Sequence, residues 1–406
     1  MKVLVLNSGS SSQKSSFYRI NQSLPNDPLT PLWEGKIEWR EKVAETEVKH
    51  ASGVVQKNPT KVLSRAEAVE HLLGTLTNGE AGAIESLAEI DVVGHRVVHG
   101  GPKYKEAVSL TEEVRAEIAR LAAFAPLHNR AELEGMEIIE KLLGKVPQIA
   151  VFDTAFHRTI PEAAAVYPGP YRWFEQDIRR YGFHGINHQY CAARAAKLLC
   201  RDLNSLKLVT CHLGNGCSLA AIRDGRSIDT TMGFTPLEGL MMGTRSGSID
   251  PGILTYLMRQ GHLQGQEIDD VLNNESGLLG VSGISGDMRE ILAAMKEGHS
   301  RAKLAFDIYV HRLQASIGAM VAVLGGINAL VFTAGVGENS ADVREAVCQQ
   351  LAFLGLKLDH DANRKCTPDV DIAEPDSAVR ILVIRAQEDW AIAKECWRLM
   401  RQSDHD

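Results

Sequence analysis

Apolar residues along this chain come in short blocks, several of them closed by small polar residues. Val3-Leu4-Val5-Leu6 runs into Asn7-Ser8-Gly9-Ser10-Ser11-Ser12-Gln13-Lys14. Four consecutive apolar residues are too few to span a membrane and fit a strand buried on both faces. Read alone, the polar run after them is a hairpin turn, since Asn, Ser and Gly dominate turns. The pattern predicts further strands at residues 17–20, 32–39, 90–98, 149–152, 206–212, 219–222, 227–231, 329–333 and 381–384. Helical patterning predicts helices over 68–76, 111–124, 130–143, 187–199, 251–259, 266–273, 287–296, 300–324, 341–354 and 388–400. Ser64-Arg65-Ala66-Glu67 has the order of a capping box, and Asp250-Pro251 is a helix start. After an antiparallel beginning, strands alternate with helices, which predicts a mixed α/β fold. Strand, Asn-Ser-Gly loop, strand at residues 3–20 is echoed at 206–231 by strand, His212-Leu213-Gly214-Asn215-Gly216 loop, strand. Two copies of one unit account for the echo.

Length and charge narrow this picture. A chain of 406 residues is long for one core, so two domains are expected. A formal net charge of −7 argues against nucleic acid as the main partner, because there is no basic excess to displace counterions. The seven Cys include no C-x-x-C pair, which fits reduced thiols in a cytoplasmic protein better than a disulfide framework or zinc knuckle. No apolar stretch approaches the ~20 residues of a membrane helix, and the first residues lack a signal-peptide pattern.

Three Gly-containing segments, at 7–12, 212–218 and 335–339, each follow an apolar strand. Small residues let backbone N–H groups crowd a bound phosphate, and three such segments suggest a nucleotide held from several sides. None fits a Walker P-loop or a dinucleotide fingerprint. Arg96 lies inside Val92-Val93-Gly94-His95-Arg96-Val97-Val98, where a buried charge must be paired or must bind an anion. Arg245 stands among small residues in Gly243-Thr244-Arg245-Ser246-Gly247, a setting for an anion ligand; its fork suits phosphate or carboxylate. His184, in Tyr181-Gly182-Phe183-His184-Gly185, is a candidate hydrogen-bond donor to a phosphoryl group. The i,i+4 spacings His95/His99 and His184/His188 lack an H-E-x-x-H motif, so zinc is set aside. Asp153, Asp287, Glu338 and Glu388 sit at strand ends or helix starts and are candidates for Mg²⁺, which takes one or two carboxylates plus substrate phosphates.

In this order the motifs are recognisable. Asn7-Ser8-Gly9-Ser10-Ser11-Ser12-x-Lys14 and His212-Leu213-Gly214-Asn215-Gly216-x-Ser218 resemble the two signatures of the acetate/propionate kinase family. His95-Arg96-Val97-Val98-His99-Gly100-Gly101, Phe152-Asp153-Thr154-Ala155-Phe156-His157, Tyr181-Gly182-Phe183-His184-Gly185, Thr244-Arg245-Ser246-Gly247 and Gly335-Val336-Gly337-Glu338-Asn339 follow in family order, over essentially the whole chain. The resemblance implies the duplicated α/β fold of actin, sugar kinases and the Hsp70 ATPase domain (ribonuclease H-like), with an interdomain cleft. It places the first domain at 1–156 plus 388–406, and a nucleotide-binding domain with the main dimer contacts at 157–387. The implied reaction is ATP + acetate ⇌ ADP + acetyl phosphate, with Mg²⁺ or Mn²⁺, in a cytoplasmic homodimer.

Carried over by position, the resemblance makes Arg96, Arg245, His184 and Asp153 catalytic. The arginines would hold the acyl carboxylate and the transferring phosphoryl group, and His184 would donate to that group's oxygens. Asp153 and Glu388 would organise the metal with Asn7 nearby. Val98, Leu127, Phe183 and Pro236 would join Arg96 around the acyl group. Ser12, Lys14, His212, Asn215, Gly216, Asp287, Met288, Arg289, Gly335, Val336 and Asn339 would hold the nucleotide. Four places depart from the family pattern: Gln13 and Ser15, where an apolar and an aromatic residue are usual, Ser248, where Asp or Asn is usual, and Gln387-Glu388-Asp389, where Asn-Glu-Glu is usual. Propionate is the rival substrate. A nucleotide switch of the actin/Hsp70 kind is the rival class, but it gives no reason for Arg96, Arg245 and the apolar pocket to occur together.

Overall fold

The structure, a computed structural model, describes residues 1–8, 12–40, 43–50, 53, 55–60, 64–77, 82–122, 126–261 and 263–403. The chain divides into two compact units, Met1–Ala155 with Gln387–Asp406, and Phe156–Ala386.

The first unit is built on eight strands: β1 (Lys2–Ser8), β2 (Ser12–Arg19), β3 (Trp33–Arg40), β4 (Val43–His50), β5 (Val55–Thr60), β6 (Val92–Val97), β7 (Val108–Ser109) and β8 (Gln148–Phe152). Their order across the sheet is β5-β4-β3-β2-β1-β6-β8-β7. β1, β6 and β8 are parallel neighbours, while β2 and β3 run antiparallel to the strands beside them. The apolar blocks read from the sequence form the centre: Val3, Leu4, Val5, Leu6, Val93 and Val97 are buried. Helix Glu388–Ser403 packs on β1 and β6, with Ile392 and Cys396 facing Gly94, while its Trp390 ring lies 5.6 Å from that of Tyr18 on β2. Gly94 is required by that packing, since a Cβ there would lie 2.5 Å from Cys396 Sγ.

The second unit carries β9 (Lys207–Leu213), β10 (Cys217–Arg223), β11 (Arg226–Thr230), β12 (Ala329–Thr333), β13 (Val370–Asp371) and β14 (Arg380–Val383), in the order β11-β10-β9-β12-β14-β13. β9, β12 and β14 are parallel and β10 and β11 antiparallel. The five-strand core β3-β2-β1-β6-β8 is thus repeated as β11-β10-β9-β12-β14, with the same sense at every pairing. The echo in the sequence is a duplicated sheet.

Several elements differ from expectation. β1 continues through Asn7 and Ser8, and β2 begins at Ser12, with Ser8 opposite Gln13 and Asn7 opposite Lys14. The polar run therefore supplies the tips of two paired strands; Gly9, Ser10 and Ser11 lie outside the described residues. β4 and β5 were not expected, because Glu45, Glu47 and Lys49 alternate with apolar residues on a strand paired to β3 and break the apolar block. Residues 335–339, read as a Gly-rich loop, fall in a short helix, Ala334–Asn339, whose first residue has φ 65°. The helix expected over 341–354 is α-helical at Ala341–Gln350 and tightens to a 3₁₀ turn at Ala352–Leu354.

The positions that depart from the family pattern are accommodated. Gln13 is buried, and it accepts from Ser8 Oγ at 3.3 Å and donates to Ser15 Oγ at 3.3 Å, so the two polar replacements satisfy one another. Ser248 exchanges hydrogen bonds with Gly239: its N–H donates to the Gly239 carbonyl at 2.9 Å, and its Oγ accepts from the Gly239 N–H at 3.0 Å. This closes the base of the segment that bears Arg245.

Candidate active site

In the first unit the site forms where β1, β6 and β8 end and helix Glu388–Ser403 begins. Parallel register sets Leu6 beside His95, which brings Asn7 beside Arg96. Arg96 Nη1 donates to Asn7 Oδ1 at 3.2 Å, and its other arm is ion-paired with Asp153, which follows β8 directly. Asn7 Nδ2 in turn donates to Glu388 Oε2 at 3.2 Å and Asp389 Oδ1 at 3.4 Å. Burial works against the charged Arg96, but Asp153 foremost and then Glu388 outweigh it, so its pKa rises. Asp389, next to Glu388, has no role in the sequence pattern. Burial pushes its carboxyl up, opposed by a 2.7 Å hydrogen bond from Ser16 Oγ.

These groups offer only carboxylate and amide oxygens, the donor type that Mg²⁺ and Mn²⁺ prefer. Among the described residues no group of three or more His, Cys, Asp or Glu is poised to hold a metal by itself. A cation bound by Asp153, Glu388 and Asn7 fits a site that takes most of its ligands from substrate phosphates and water. Lys14 is exposed on β2 opposite Asn7, and Ser12 starts that strand. Val98 is buried at the end of β6. Leu127 belongs to helix Pro126–Leu143.

Glu132 on that helix was also missed, because a Glu on an amphipathic helix reads as solvent-facing. It is 2% exposed, and its Oε1 accepts from the Val98 N–H at 3.1 Å. Burial raises its pKa to about 8, against the pull of Arg96. The sign of the consequence is definite. Between the unfolded value near 4.5 and the folded value near 8 the native state holds a proton that the unfolded chain has released. Stability should then fall as pH rises, on the order of 2 kcal/mol between pH 6 and pH 8. Glu132→Gln should lose that slope, as read by denaturant titration at several pH values; an unchanged slope would contradict the assignment.

In the second unit the N-terminus of helix Gly185–Leu198 meets the β9–β10 hairpin. His184 adopts φ 57°, directly before that helix. Its ring stacks on that of His212, with centroids 4.0 Å apart and planes 11° apart. Asn187 Nδ2 donates to His212 Nδ1 at 2.8 Å. A Cβ added to Gly216 would lie 3.5 Å from His184 Nε2 and 3.6 Å from Arg245 Nη1, so both edges face the space that Gly216 leaves open. The Arg245 segment is tied to the hairpin by the Gly243 N–H, which donates to the Asn215 carbonyl at 3.1 Å. Arg245 Nη1 reaches the Pro236 carbonyl at 3.4 Å, and among the described residues it has no ion-pair partner. Burial lowers its pKa. Phe183 is buried, and its carbonyl accepts from His157 Nε2 at 3.1 Å. Burial lowers the His157 pKa to about 4.

Beyond the hairpin lies a cavity of about 910 Å³, large enough for a nucleotide, lined by Asn215, Asp287, Met288, Arg289, Gly335, Val336 and Asn339. Gly214, from the segment 212–218 read as a phosphate loop, also lines it; Gly286, Leu292, Ser340 and Asp342 complete the lining and were not anticipated, since an Asp and an apolar residue on ordinary helices carry no local signal. His212 and Gly216 stand on the hairpin next to this cavity rather than in its lining. Asp287 caps helix Met288–Lys296 by accepting from the Arg289 N–H at 2.8 Å, and the Arg289 side chain holds its carboxyl below the usual range. Glu338, a candidate for Mg²⁺, is instead a backbone acceptor: its Oε1 takes the N–H groups of Ala334 and Ala386 at 3.0 and 2.8 Å.

A duplicated α/β core, a cavity large enough for a nucleotide beside the β9–β10 hairpin and a guanidinium facing the space over Gly216 fit a phosphotransferase. The chain belongs to the Acetokinase family, which it matches over residues 2–394, and is an enzyme of that family. It is 60% identical over 403 residues to the acetate kinase of Cyanothece sp., covering 99% of each chain. Among solved structures it superposes on Porphyromonas gingivalis acetate kinase with a TM-score of 0.90 at 41% identity, covering 98% of this chain and 99% of the other. A Francisella tularensis propionate kinase gives a TM-score of 0.90 at 38% identity, with the same coverage.

Proposed function

We propose that this protein transfers the γ-phosphoryl group of ATP to acetate, reversibly, giving ADP and acetyl phosphate. The observation that carries the reading is Arg245, a partly buried guanidinium with no carboxylate partner among the described residues, aimed with His184 at the open space over Gly216. A cation left unpaired in a desolvated place is stabilised by a bound anion. In this reading the cavity at Asn215, Asp287–Arg289, Gly335, Val336 and Asn339 takes ADP. Lys14, Ser12, His212 and Gly216 serve its phosphates, and Arg245 and His184 hold the group in transfer. Arg96 receives the acyl carboxylate, with Val98, Leu127, Phe183 and Pro236 around its methyl group. Asp153, Glu388 and Asn7 hold Mg²⁺, which when bound offsets phosphate charge.

The chemistry fits this set. A carboxylate is already a nucleophile at neutral pH, so no general base is required. The barrier is electrostatic, an anion approaching a polyanion in line, and arginines with a neutral donor relieve it. The acyl-chain preference is assigned to acetate over propionate because the relatives at about 60% identity are named acetate kinases. A methylene is worth only about 1–3 kcal/mol in such a pocket, so some propionate turnover is expected. The protein is further inferred to be a cytoplasmic homodimer. Apolar Ile253, Tyr256 and Met258, exposed on helix Pro251–Arg259 in the second unit, support an interface there.

Hydroxylamine trapping tests the reaction. With ATP and Mg²⁺, acetate should give the most hydroxamate, propionate less and butyrate little. No hydroxamate from any of them would overturn the reading.

A further inference from the structure

Behind His184 lies a chain of buried polar groups to which the reaction assigns no role. His184 Nδ1 is 2.9 Å from Ser218 Oγ. The same hydroxyl is 2.8 Å from His188 Nε2, and His188 Nδ1 is 2.7 Å from Thr210 Oγ1. His188, Thr210 and Ser218 are all 0% exposed. Ser218 has one proton to place between two imidazoles, so the hydrogen bonds must all point one way or all the other.

Thr210 decides the direction. Among the described residues its hydroxyl meets only His188 Nδ1. If Thr210 donates to Nδ1, His188 carries its proton on Nε2 and gives it to Ser218, and Ser218 donates to His184 Nδ1. Every donor is then used, and neutral His184 keeps its proton on Nε2. In the reverse direction a proton on His184 Nδ1 runs down the chain and the Thr210 hydroxyl is left buried with nothing to donate to, a cost worth about tenfold or more in population.

We propose that Thr210, His188 and Ser218 form a one-way hydrogen-bond relay that fixes His184 in the tautomer with its proton on Nε2. These are positioning residues, and the edge they prepare is the one facing the space above Gly216 beside Arg245. The inference rests on the phosphoryl-transfer reading for its purpose but not for its geometry. Burial holds the His188 pKa well below the ordinary value, which keeps this ring a one-proton link at working pH. The strand position of Thr210 and the helix position of His188 come from elements that pack together in the core of the unit, so the relay is rigid.

The test reads the ring nitrogens directly. Full-length protein labelled with ¹⁵N-histidine, without substrate, should show His184 and His188 each with an unprotonated Nδ1 and a protonated Nε2; His184→Asn and His188→Gln spectra assign the signals. Thr210→Val, which keeps the shape and removes the hydroxyl, should move the His184 nitrogens toward averaged shifts. It should lower kcat about two- to tenfold with the KM for ATP unchanged, while Thr210→Ser restores both. A wild-type His184 protonated on Nδ1, or Thr210→Val spectra identical to wild type, would overturn the relay. Altered ring shifts with unchanged kcat would overturn its part in turnover. Because the spectra need no substrate, failure of the relay and failure of the proposed reaction are read separately.

Discussion

Arg245→Ala is expected to lower kcat by about 10³–10⁵-fold, the range for an arginine that stabilises a phosphoryl group in transfer. Stability should stay within about 0.5 kcal/mol of wild type or rise. The two expectations have one cause. Among the described residues Arg245 hydrogen-bonds one backbone carbonyl, at 3.4 Å, and no carboxylate, so its removal strands no carboxylate there and relieves a desolvated charge. Arg245→Lys should recover little, because an ammonium cannot reproduce the two-pronged geometry. Steady-state kinetics beside denaturant unfolding checks this; near-normal turnover at saturating substrate would remove Arg245 from the reaction.

Arg96→Ala should fail differently. It should lose turnover on a similar scale and also destabilise the first unit by about 3–5 kcal/mol, the cost of removing one partner of a buried ion pair. Asp153 is 1% exposed, and Arg96 is its ion-pair partner as well as the donor to Asn7 Oδ1. Adding Asp153→Asn removes the carboxylate charge that Arg96 had balanced, so the double variant should regain much of the stability and none of the activity. Equal instability of the single and double variants would show that Arg96 supports the fold by packing rather than by charge.

The contrast between the two arginines marks how far the sequence could be read. Both were visible as charges in improbable places, Arg96 in a β-branched run and Arg245 among glycines. Their difference, one paired and one not, depends on Asp153 being delivered to Arg96 by parallel register, which no local pattern encodes. The duplicated core was legible because buried parallel strands leave apolar blocks and each block ends in small residues. Strand β4 was not, because one of its faces is polar. The helix at Ala334–Asn339 was hidden by Gly335 and Gly337, which read as a loop until Glu338 is seen taking two backbone N–H groups. Glu132 and Thr210 were invisible for the opposite reason. Each is an ordinary residue on an ordinary helix or strand, and only its burial against other polar groups sets it apart.

In the proposed reaction the γ-phosphoryl group of ATP passes to the carboxylate of acetate in one direct transfer. The measurement closest to it is the stereochemical course, using ATP made chiral at the γ-phosphorus with oxygen isotopes. A single in-line displacement predicts acetyl phosphate with inverted configuration at phosphorus. Retention would require an intermediate phosphoenzyme and would contradict the account, as would the absence of labelled acetyl phosphate.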